Sequence, residues 1–150
     1  MHITYEIAIS KLPNVVFPWI ANPDQAMQWQ KNVRGGEILV ETPEKVGTTF
    51  IEIIEEDGNE LEMDGMITEF VEDEIIGFHI ESRIHAFDVR YSVEENEGGS
   101  KVSTEIDIRW KFPMNVISLF IGKKMEANLL GTLETEFLEL KRICETTNSE

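Results

Sequence analysis

The chain has 150 residues, of which 41% are hydrophobic and 28% are charged, and its formal net charge is −16. This length and composition predict a single globular domain over residues 1–150, with a core that needs neither disulfides nor metal ions. The acidic balance argues against nucleic-acid partners and against electrostatic docking on anionic membranes, since the 13 Lys and Arg residues are spread along the sequence.

The cysteine content and the first residues of the chain allow predictions about the cellular compartment and about cofactors. Cys144 is the only cysteine, so an internal disulfide is excluded and the spaced partners of a zinc site are missing. We therefore predict no metal and no cofactor. The opening residues, MHITYEIAIS, alternate like a strand and not like a secretory leader, and no apolar run approaches the roughly 20 residues that span a bilayer. The sequence predicts a cytoplasmic protein without a membrane span.

Two short helices are predicted after a first strand at residues 3–9. Pro13 suits the first turn of the first helix, where its missing N–H would have no partner. That helix should end at Asn22, because the residue before a proline is pushed out of helical geometry. Asp24 is the predicted cap of a second short helix, QAMQWQ, at residues 25–30.

The middle of the chain predicts about six further antiparallel strands. A short strand, EILVE, precedes a hairpin of TTFIEIIEE and NELEMDGMITEFV around the turn Asp57-Gly58, and Gly65 is expected to mark a bulge. Three more strands follow, and their alternation predicts which residues share the apolar face: Ile76, Phe78 and Ile80, then Phe87, Val89, Tyr91 and Val93, then Val102, Thr104, Ile106, Ile108, Trp110 and Phe112. Arg109 is expected on the opposite, outer face.

From Pro113 the pattern predicts one helix of about 30 residues. Its apolar positions recur every three or four residues: Ile117, Ile121, Met125, Leu129, Leu133, Phe137 and Leu140. Glu136 is assigned to the exposed side with the other charged residues. Gly122 and Gly131 each cost about 1 kcal/mol relative to Ala and suggest close packing or a bend.

These elements predict an α+β fold. An antiparallel sheet with one apolar face needs a cover, and the C-terminal helix is the only predicted element long enough to supply it. The expected architecture is a curved antiparallel sheet of about seven strands wrapped around that helix, with the two short helices after the first strand. A curved sheet need not touch the helix everywhere, so we expect a cavity between them.

Three stretches carry a resemblance to a known superfamily. KLPNVVFPWIANPDQAMQWQKNV looks like an opening strand, small helix, Asn-Pro break and Trp; EKVGTTF is similar to a Gly-initiated third strand; MEANLLGTLETEFLELKRICE resembles a closing helix. Together they resemble the START-like superfamily (SRPBCC), whose helix-grip fold is shared by lipid-transfer domains, birch-pollen-type allergens and polyketide cyclases. The resemblance covers essentially the whole chain. It implies fold and cavity without fixing an activity, because the members share no catalytic motif.

Our primary hypothesis is binding, transport or sequestration of a hydrophobic or amphipathic small molecule in the cavity. Trp29 is its central residue, because it brings a large apolar area and an N–H that needs a partner. The predicted lining is Tyr5, Trp29, Met66, Phe87, Tyr91, Trp110, Met125 and Leu129. For each of these positions the alternative is a packed core without a ligand.

Two other functions stay open at this point. An enzyme resembling the polyketide cyclases and dehydrases would use His79 or His85 in the cavity as a proton shuttle. Both lie near the turn ESRIH, where the pattern does not fix their faces. A protein-interaction module resembling the heat-shock ATPase activators would instead use its outer surface. The pattern is equally compatible with a monomer and a homodimer.

Overall fold

A computed structural model, which describes residues 1–56 and 58–147, contains one antiparallel sheet of seven strands, two short helices and a long C-terminal helix. The elements are β1 (His2–Ile9), α1 (Pro13–Ala21), α2 (Pro23–Ala26), β2 (Val33–Val40), β3 (Thr49–Glu56), β4 (Asn59–Val71), β5 (Ile75–Glu81), β6 (His85–Asn96), β7 (Gly99–Trp110) and α3 (Met114–Thr146). The predicted α+β helix-grip architecture is confirmed.

The order of strands in the sheet is β1-β7-β6-β5-β4-β3-β2. The strands from β2 to β7 pair with their neighbours in the sequence, as successive hairpins do, and β1 adds to the far edge beside β7. Because β1 and β2 form opposite edges, α1 and α2 carry the chain from one edge of the sheet to the other. This connection brings α1 close to α3.

Alternation gives each strand an inner face, toward α3, and an outer face. The predicted apolar face of β5, β6 and β7 is the inner face, with Tyr91, Val102 and Ile108 all buried there. Arg109 lies on the outer face as predicted, 3.3 Å from Asp88. Phe112 departs from the prediction, because β7 ends at Trp110 and leaves the Phe112 side chain 80% exposed.

The first helices differ from the prediction in their cap. Asn22 ends α1 and also begins α2, since its side-chain oxygen accepts a hydrogen bond from the N–H of Asp24 at 3.1 Å. Asp24 was therefore the wrong choice of cap, because it already lies inside the first turn. The second helix is shorter than predicted, Pro23–Ala26, and Trp29 lies in the turn that follows.

Glycines of the sheet permit close approaches. No register shift occurs at Gly65, so the predicted bulge there is wrong; the irregularity of β4 lies between Ile67 and Glu69. A Cβ at Gly65 would meet the ring of Phe50 at 2.3 Å, so this glycine makes room for that ring. Gly58 adopts φ 79°, as a tight turn requires, whereas Asp57 lies outside the described residues.

The C-terminal half of α3 is held against the sheet. Leu133, Phe137 and Leu140 are buried, and Phe137 packs edge-on against Tyr5 with the ring centroids 5.4 Å apart. Lys141 Nζ donates to the carbonyl oxygen of Ala8 at 2.8 Å. Apolar packing and hydrogen bonding therefore fasten this half of the helix to β1.

The N-terminal half of α3 is far more exposed. Ile117 and Ile121, predicted to face the sheet, are each 43% exposed. Gly122 and Gly131 have open space where a Cβ would stand, so neither marks close packing, and α3 continues unbroken through both. Among the described residues, no helix is both long and apolar enough to cross a bilayer.

Candidate functional site

The inner face is closed at one end of the molecule and open at the other. At the closed end, α1, Trp29 and the C-terminal half of α3 bury the inner face in one core, in which Phe17, Val102 and Phe137 are almost wholly buried. The open end lies toward the start of α3. There the inner positions hold apolar side chains that are only half-buried: Phe50, Ile54, Leu61, Ile80 and Phe87. We call the surface formed by these five residues the inner groove.

Four polar side chains from four separate segments of the chain lie near one another on the inner side of the sheet; we call them the carboxyl cluster. They are Gln30 after α2, Glu52 on β3, Tyr91 on β6 and Glu136 on α3. The Tyr91 hydroxyl hydrogen-bonds with the Gln30 side chain. Glu136 Oε2 accepts the backbone N–H of Lys31 at 2.9 Å, which ties α3 to the segment after α2.

The position of Glu52 follows from strand register. It pairs across β3 and β4 with Met63, which is 5% exposed, and lies between the inner residues Phe50 and Ile54. On the other side it pairs with Gly36 of β2, where the backbones approach so closely that a Cβ would stand 2.8 Å from the carbonyl oxygen of Ile51. The carboxyl group of Glu52 therefore points toward the helix and away from bulk water.

Burial and charge determine the protonation of the cluster. Burial raises the pKa of Glu52, and the neighbouring charge of Glu136 raises it further. Burial also raises the pKa of Glu136, partly offset by the hydrogen bond from Lys31. The pKa of Tyr91 is raised by burial and by both carboxylates, so its hydroxyl stays neutral. Carboxyl groups with raised pKa values, together with a neutral phenol, can donate hydrogen bonds to a polar group and accept them from it.

Seven of the eight predicted lining residues lie on the inner face, on α3 or in the core. Trp29 is 2% exposed, and its Nε1 donates to the carbonyl oxygen of Trp19 at 2.7 Å, which supplies the partner that its N–H needs. Tyr91 belongs to the same core. The other five are Tyr5, Phe87, Trp110, Met125 and Leu129, all half-buried. Of these, Phe87 belongs to the inner groove.

Met66 lies on the other side of the sheet. Its cross-strand partner on β5 is His79, an outer residue, and its side chain is 40% exposed. The inner position beside it is Gly65, so the parity of β4 excludes Met66 from the inner groove. Its assignment as a lining residue is therefore corrected.

The two candidate histidines lie on opposite faces. His79 is outside, with Nδ1 2.7 Å from Asp88 Oδ1 and Nε2 2.8 Å from Glu81 Oε1. The hydrogen bond with Asp88, and then that with Glu81, raises the pKa of His79. This surface ion-pair network gives His79 no access to the inner groove.

His85 is 2% exposed and lies on the inner face, where its ring packs 4.3 Å from Phe87 and 5.2 Å from Trp110 between centroids. Its Nδ1 is 2.7 Å from the hydroxyl oxygen of Ser82, and burial lowers the pKa of His85. The ring is thus neutral and packed, in a position where it supports the wall of the inner groove.

Two unpartnered polar atoms also lie on the inner face. Within the described part of the chain, Trp110 Nε1 and Thr104 Oγ1 are buried without a hydrogen-bond partner. A buried donor without a partner costs about 1–3 kcal/mol. Both atoms would gain from a polar group bound beside them.

The outer face carries a recess of about 470 Å³ at the N-terminal part of β4 and the turn after β5. Glu62, Asp64 and Glu81 lie along it, and Lys111 Nζ is 3.4 Å from Glu81. Its lining is dominated by exposed charged groups. Across residues 1–56 and 58–147, no three His, Cys, Asp or Glu side chains are placed to hold a metal ion.

The sequence pattern missed Glu52, Glu136 and Gln30. For Glu136 a signal was present in the helical spacing. Leu133 and Leu140 lie on the apolar stripe seven residues apart, and Glu136 is three residues after the first and four before the second, so it lies on the same stripe. For Glu52 the signal was ambiguous. Ile51 and Ile53 on one face of β3 are as apolar as Phe50 and Ile54 on the other, so alternation did not fix which face is buried.

Comparisons with models of known protein families and with curated protein sequences find no match. Solved structures do match over nearly the whole chain. The crystal structure of TTHA0849 from Thermus thermophilus superposes with a TM-score of 0.80 at 12% identity, covering 96% of this chain and 97% of that one.

Two further structures are similar to this chain. Ara h 8.0201 has a TM-score of 0.72 at 15% identity, with 98% of this chain and 99% of that chain covered. A protein of unknown function from Staphylococcus aureus, SA2116, has a TM-score of 0.72 at 17% identity, with 97% and 95% covered. At these identities the similarity establishes the fold alone. The chain has a helix-grip fold over its whole described length.

Proposed function

We propose that this protein is a START-like binder of a hydrophobic or amphipathic small molecule, which lies in the inner groove with its polar end at the carboxyl cluster. The observation that supports this most directly is the inner groove itself. Five apolar side chains on the inner face of the sheet are left half-buried, while the closed end of the same face is packed in one core. A sheet face of this kind is normally covered.

Apolar burial would supply most of the affinity. Each square ångström of apolar surface removed from water contributes roughly 25 cal/mol, so a ligand of modest size gains several kcal/mol from Phe50, Ile80 and Phe87. The carboxyl cluster would select the polar end, because a buried carboxyl group favours a ligand that satisfies its hydrogen bonds. We also propose a cytoplasmic location, since the thiol of Cys144 is buried and unpaired.

A matched pair of substitutions tests the location of the binding site. Ile80→Trp fills the inner groove, whereas Met66→Trp adds the same side chain to the outer face of the neighbouring strand. The probe is N-phenyl-1-naphthylamine, a neutral apolar fluorophore. We expect Ile80→Trp to weaken probe binding roughly tenfold or more, the scale of about 1.4 kcal/mol of lost burial, and Met66→Trp to leave it unchanged.

Native mass spectrometry of the protein purified from its own host tests whether a ligand exists. Retention of a small molecule by the wild type and its loss from Ile80→Trp would support the proposal. Equal probe binding by both variants, or a wild type that binds no probe and retains nothing, would contradict it.

A second candidate function is proton-transfer catalysis in the inner groove. The observation in its favour is that burial raises the pKa of both Glu52 and Glu136, because enzymes raise the pKa of a carboxyl group by burial to make it an acid or base near neutral pH. His79 would have no part in it. Incubating the retained molecule with wild type and with Glu52→Gln distinguishes the two functions: conversion by the wild type alone indicates an enzyme, and recovery of the molecule unchanged from both indicates a binder.

A further inference from the structure

The first half of α3 presents its largest apolar side chains to solvent. Leu119 is 81% exposed and Phe120 is 84% exposed, and Phe112, just before the helix, is 80% exposed. Val116, one turn before Phe120, is 45% exposed. These four residues form a continuous apolar surface that we call the apolar tip. Large exposed apolar patches on a soluble domain normally mark a site of interaction.

The inward side of the same helical segment is the less apolar side. Ser118 and Gly122, one turn apart, are half-buried, as is Met114 one turn before them. A helix that only covers a sheet has the opposite arrangement, with large apolar residues inward and small or polar residues outward. The apolar tip is therefore not explained by packing within this chain.

The segment of the chain that carries the apolar tip has a charge opposite in sign to that of the whole protein. The chain has 29 acidic residues and a net charge of −16, yet none of the acidic residues lies between Asp107 and Glu126. Lys123 and Lys124 follow the tip directly, and both are exposed. No ion pair involves either of them among the described residues, although most other cations of the chain are paired.

We propose that the apolar tip, together with Lys123 and Lys124, docks on the surface of an anionic phospholipid bilayer. Exposed aromatic and aliphatic side chains followed by lysines match the boundary between acyl chains and negatively charged headgroups. The helix inserts one face at the interface and does not span the membrane, in agreement with the hydropathy of α3. The net charge alone predicts repulsion from such a surface; the local absence of acidic residues reverses that expectation at the tip.

Charge complementarity favours a lipid surface over a second copy of this chain. Symmetric pairing of two apolar tips would bring Lys123 and Lys124 toward the same residues of the other copy, with no carboxylate in either tip to meet them. An anionic headgroup supplies the missing negative charge. This inference does not depend on a ligand in the inner groove.

Vesicle co-sedimentation of the full chain tests the proposal directly. We expect binding to vesicles of phosphatidylcholine mixed with phosphatidylglycerol, and much weaker binding to phosphatidylcholine alone. Phe120→Ser should lower the partition coefficient roughly tenfold or more, because it removes a large apolar side chain from the inserted face. The matched control is Leu138→Ser, which removes an exposed apolar side chain, 53% exposed, from the C-terminal half of the same helix and should have no effect.

The lysines are tested separately from the apolar residues. Replacing both Lys123 and Lys124 by Gln should lower binding to the anionic vesicles by about fivefold per lysine. Raising the salt concentration should weaken wild-type binding in the same direction. Replacing Arg34 and Lys45 by Gln removes two charges from surface positions outside the apolar tip and serves as the control.

Several results would overturn the proposal. These are no vesicle binding by the wild type, equal binding to neutral and anionic vesicles, or unchanged binding by Phe120→Ser. A dimer in sedimentation-velocity experiments that Phe120→Ser converts to a monomer, without vesicle binding by the wild type, would assign the tip to a second copy instead. Circular dichroism melts of each variant establish that Phe120→Ser remains folded, as its exposure leads us to expect.

Discussion

The two halves of α3 belong to one continuous helix but have opposite surroundings. From Leu133 onward the helix buries most of its apolar residues against β1 and α1, with Leu138 as the exception, and hydrogen bonds join Lys141 to Ala8 and Ser10 to Glu145. Before Met125 the helix exposes apolar residues that the sheet does not cover. The difference shows that α3 is packed tightly against the rest of the protein in its C-terminal half only.

Because of this asymmetry, stability and the proposed functions depend on different parts of the molecule. Regions with few buried apolar contacts open at low free-energy cost, while the packed core opens only when the protein unfolds. Both proposed interaction surfaces, the inner groove and the apolar tip, lie at the open end. The closed end supplies the stability that lets the open end leave apolar surface available.

The strongest test of the comparison uses one phenylalanine from each half of α3. Phe137→Ala should lower the free energy of unfolding by about 3–5 kcal/mol, because it leaves a cavity among Tyr5, Trp29 and Tyr91. Phe120→Ala should change it by less than about 0.5 kcal/mol, as expected for a surface position. Urea denaturation followed by circular dichroism measures both. Similar losses in the two variants would mean that the helix is held along its whole length.

A smaller effect on the free energy of unfolding is expected from adding a side chain at Gly65, at the open end of the inner face. Gly65→Ala places a methyl group against the ring of Phe50, where a Cβ would stand 2.3 Å from ring atoms. We expect a loss of about 1–3 kcal/mol in the free energy of unfolding, reduced by whatever movement the half-buried ring allows. Gly35→Ala, with open space at its Cβ, is the control and should be close to neutral. A neutral Gly65→Ala would show that Phe50 moves freely in the inner groove.

Two helix glycines separate local from global stability. Gly131→Ala should raise the free energy of unfolding by roughly 0.5–1 kcal/mol, because alanine favours the helix and no atom obstructs its Cβ. Gly122→Ala makes the same change in the exposed half. There we expect slower amide hydrogen exchange in neighbouring residues with less gain in global stability. Equal global gains from both variants would contradict a loosely held first half.

The smallest effect is a pair of pH dependences with opposite signs. The pKa of Glu136 is raised above 4.5 in the folded protein, so its contribution to stability is fully present below pH 4.5 and is lost as the pH rises through the raised pKa. Glu136→Gln should therefore gain stability relative to wild type as the pH rises.

Glu139, three residues later, provides the matched control. A hydrogen bond from Arg142 lowers the pKa of Glu139, so its contribution is present above pH 4.5 and is lost as the pH falls through the lowered pKa. Glu139→Gln should lose stability relative to wild type near neutral pH and lose less in acid. Thermal melts from acid to neutral pH measure the stability of both variants. If the melting temperature of Glu136→Gln changes with pH in the same way as that of the wild type, the carboxyl group of Glu136 is solvated and its pKa is not raised by burial.

Much of the sheet could be predicted from the sequence because strand alternation is a local property. In β6 and β7 one face is apolar and the other charged, so the inner residues Tyr91 and Ile106 were assigned correctly. The existence of the long helix was equally clear from the sequence, but which of its residues are covered by the sheet was not. Periodicity identifies an apolar stripe, yet whether Ile117 and Ile121 are covered depends on how far the sheet extends beneath them.

The candidate site was harder to predict because it depends on contacts between distant segments. Glu52 and Glu136 are 84 positions apart, and each has a charge that suggests exposure when its own segment is considered alone. Only the register of β3 and the crossing of α3 bring them together. Met66 failed for a simpler reason. The bulge predicted at Gly65 is absent, and a bulge assigned to the wrong position reverses the face predicted for the residues that follow it.

The fluorescence of Trp29 reports on the packing between α3 and the sheet. Its indole lies edge-on to Tyr91 at 6.3 Å and to Phe137 at 6.0 Å between ring centroids, and so contacts a residue of the sheet and a residue of α3 at once. A displacement of the C-terminal half of α3 from the sheet would change the polarity around this indole and shift its emission toward the red. In a variant that keeps Trp29 and replaces Trp19 and Trp110 by Phe, the emission maximum would report whether binding of ligand or vesicles at the open end changes the packing of the closed end.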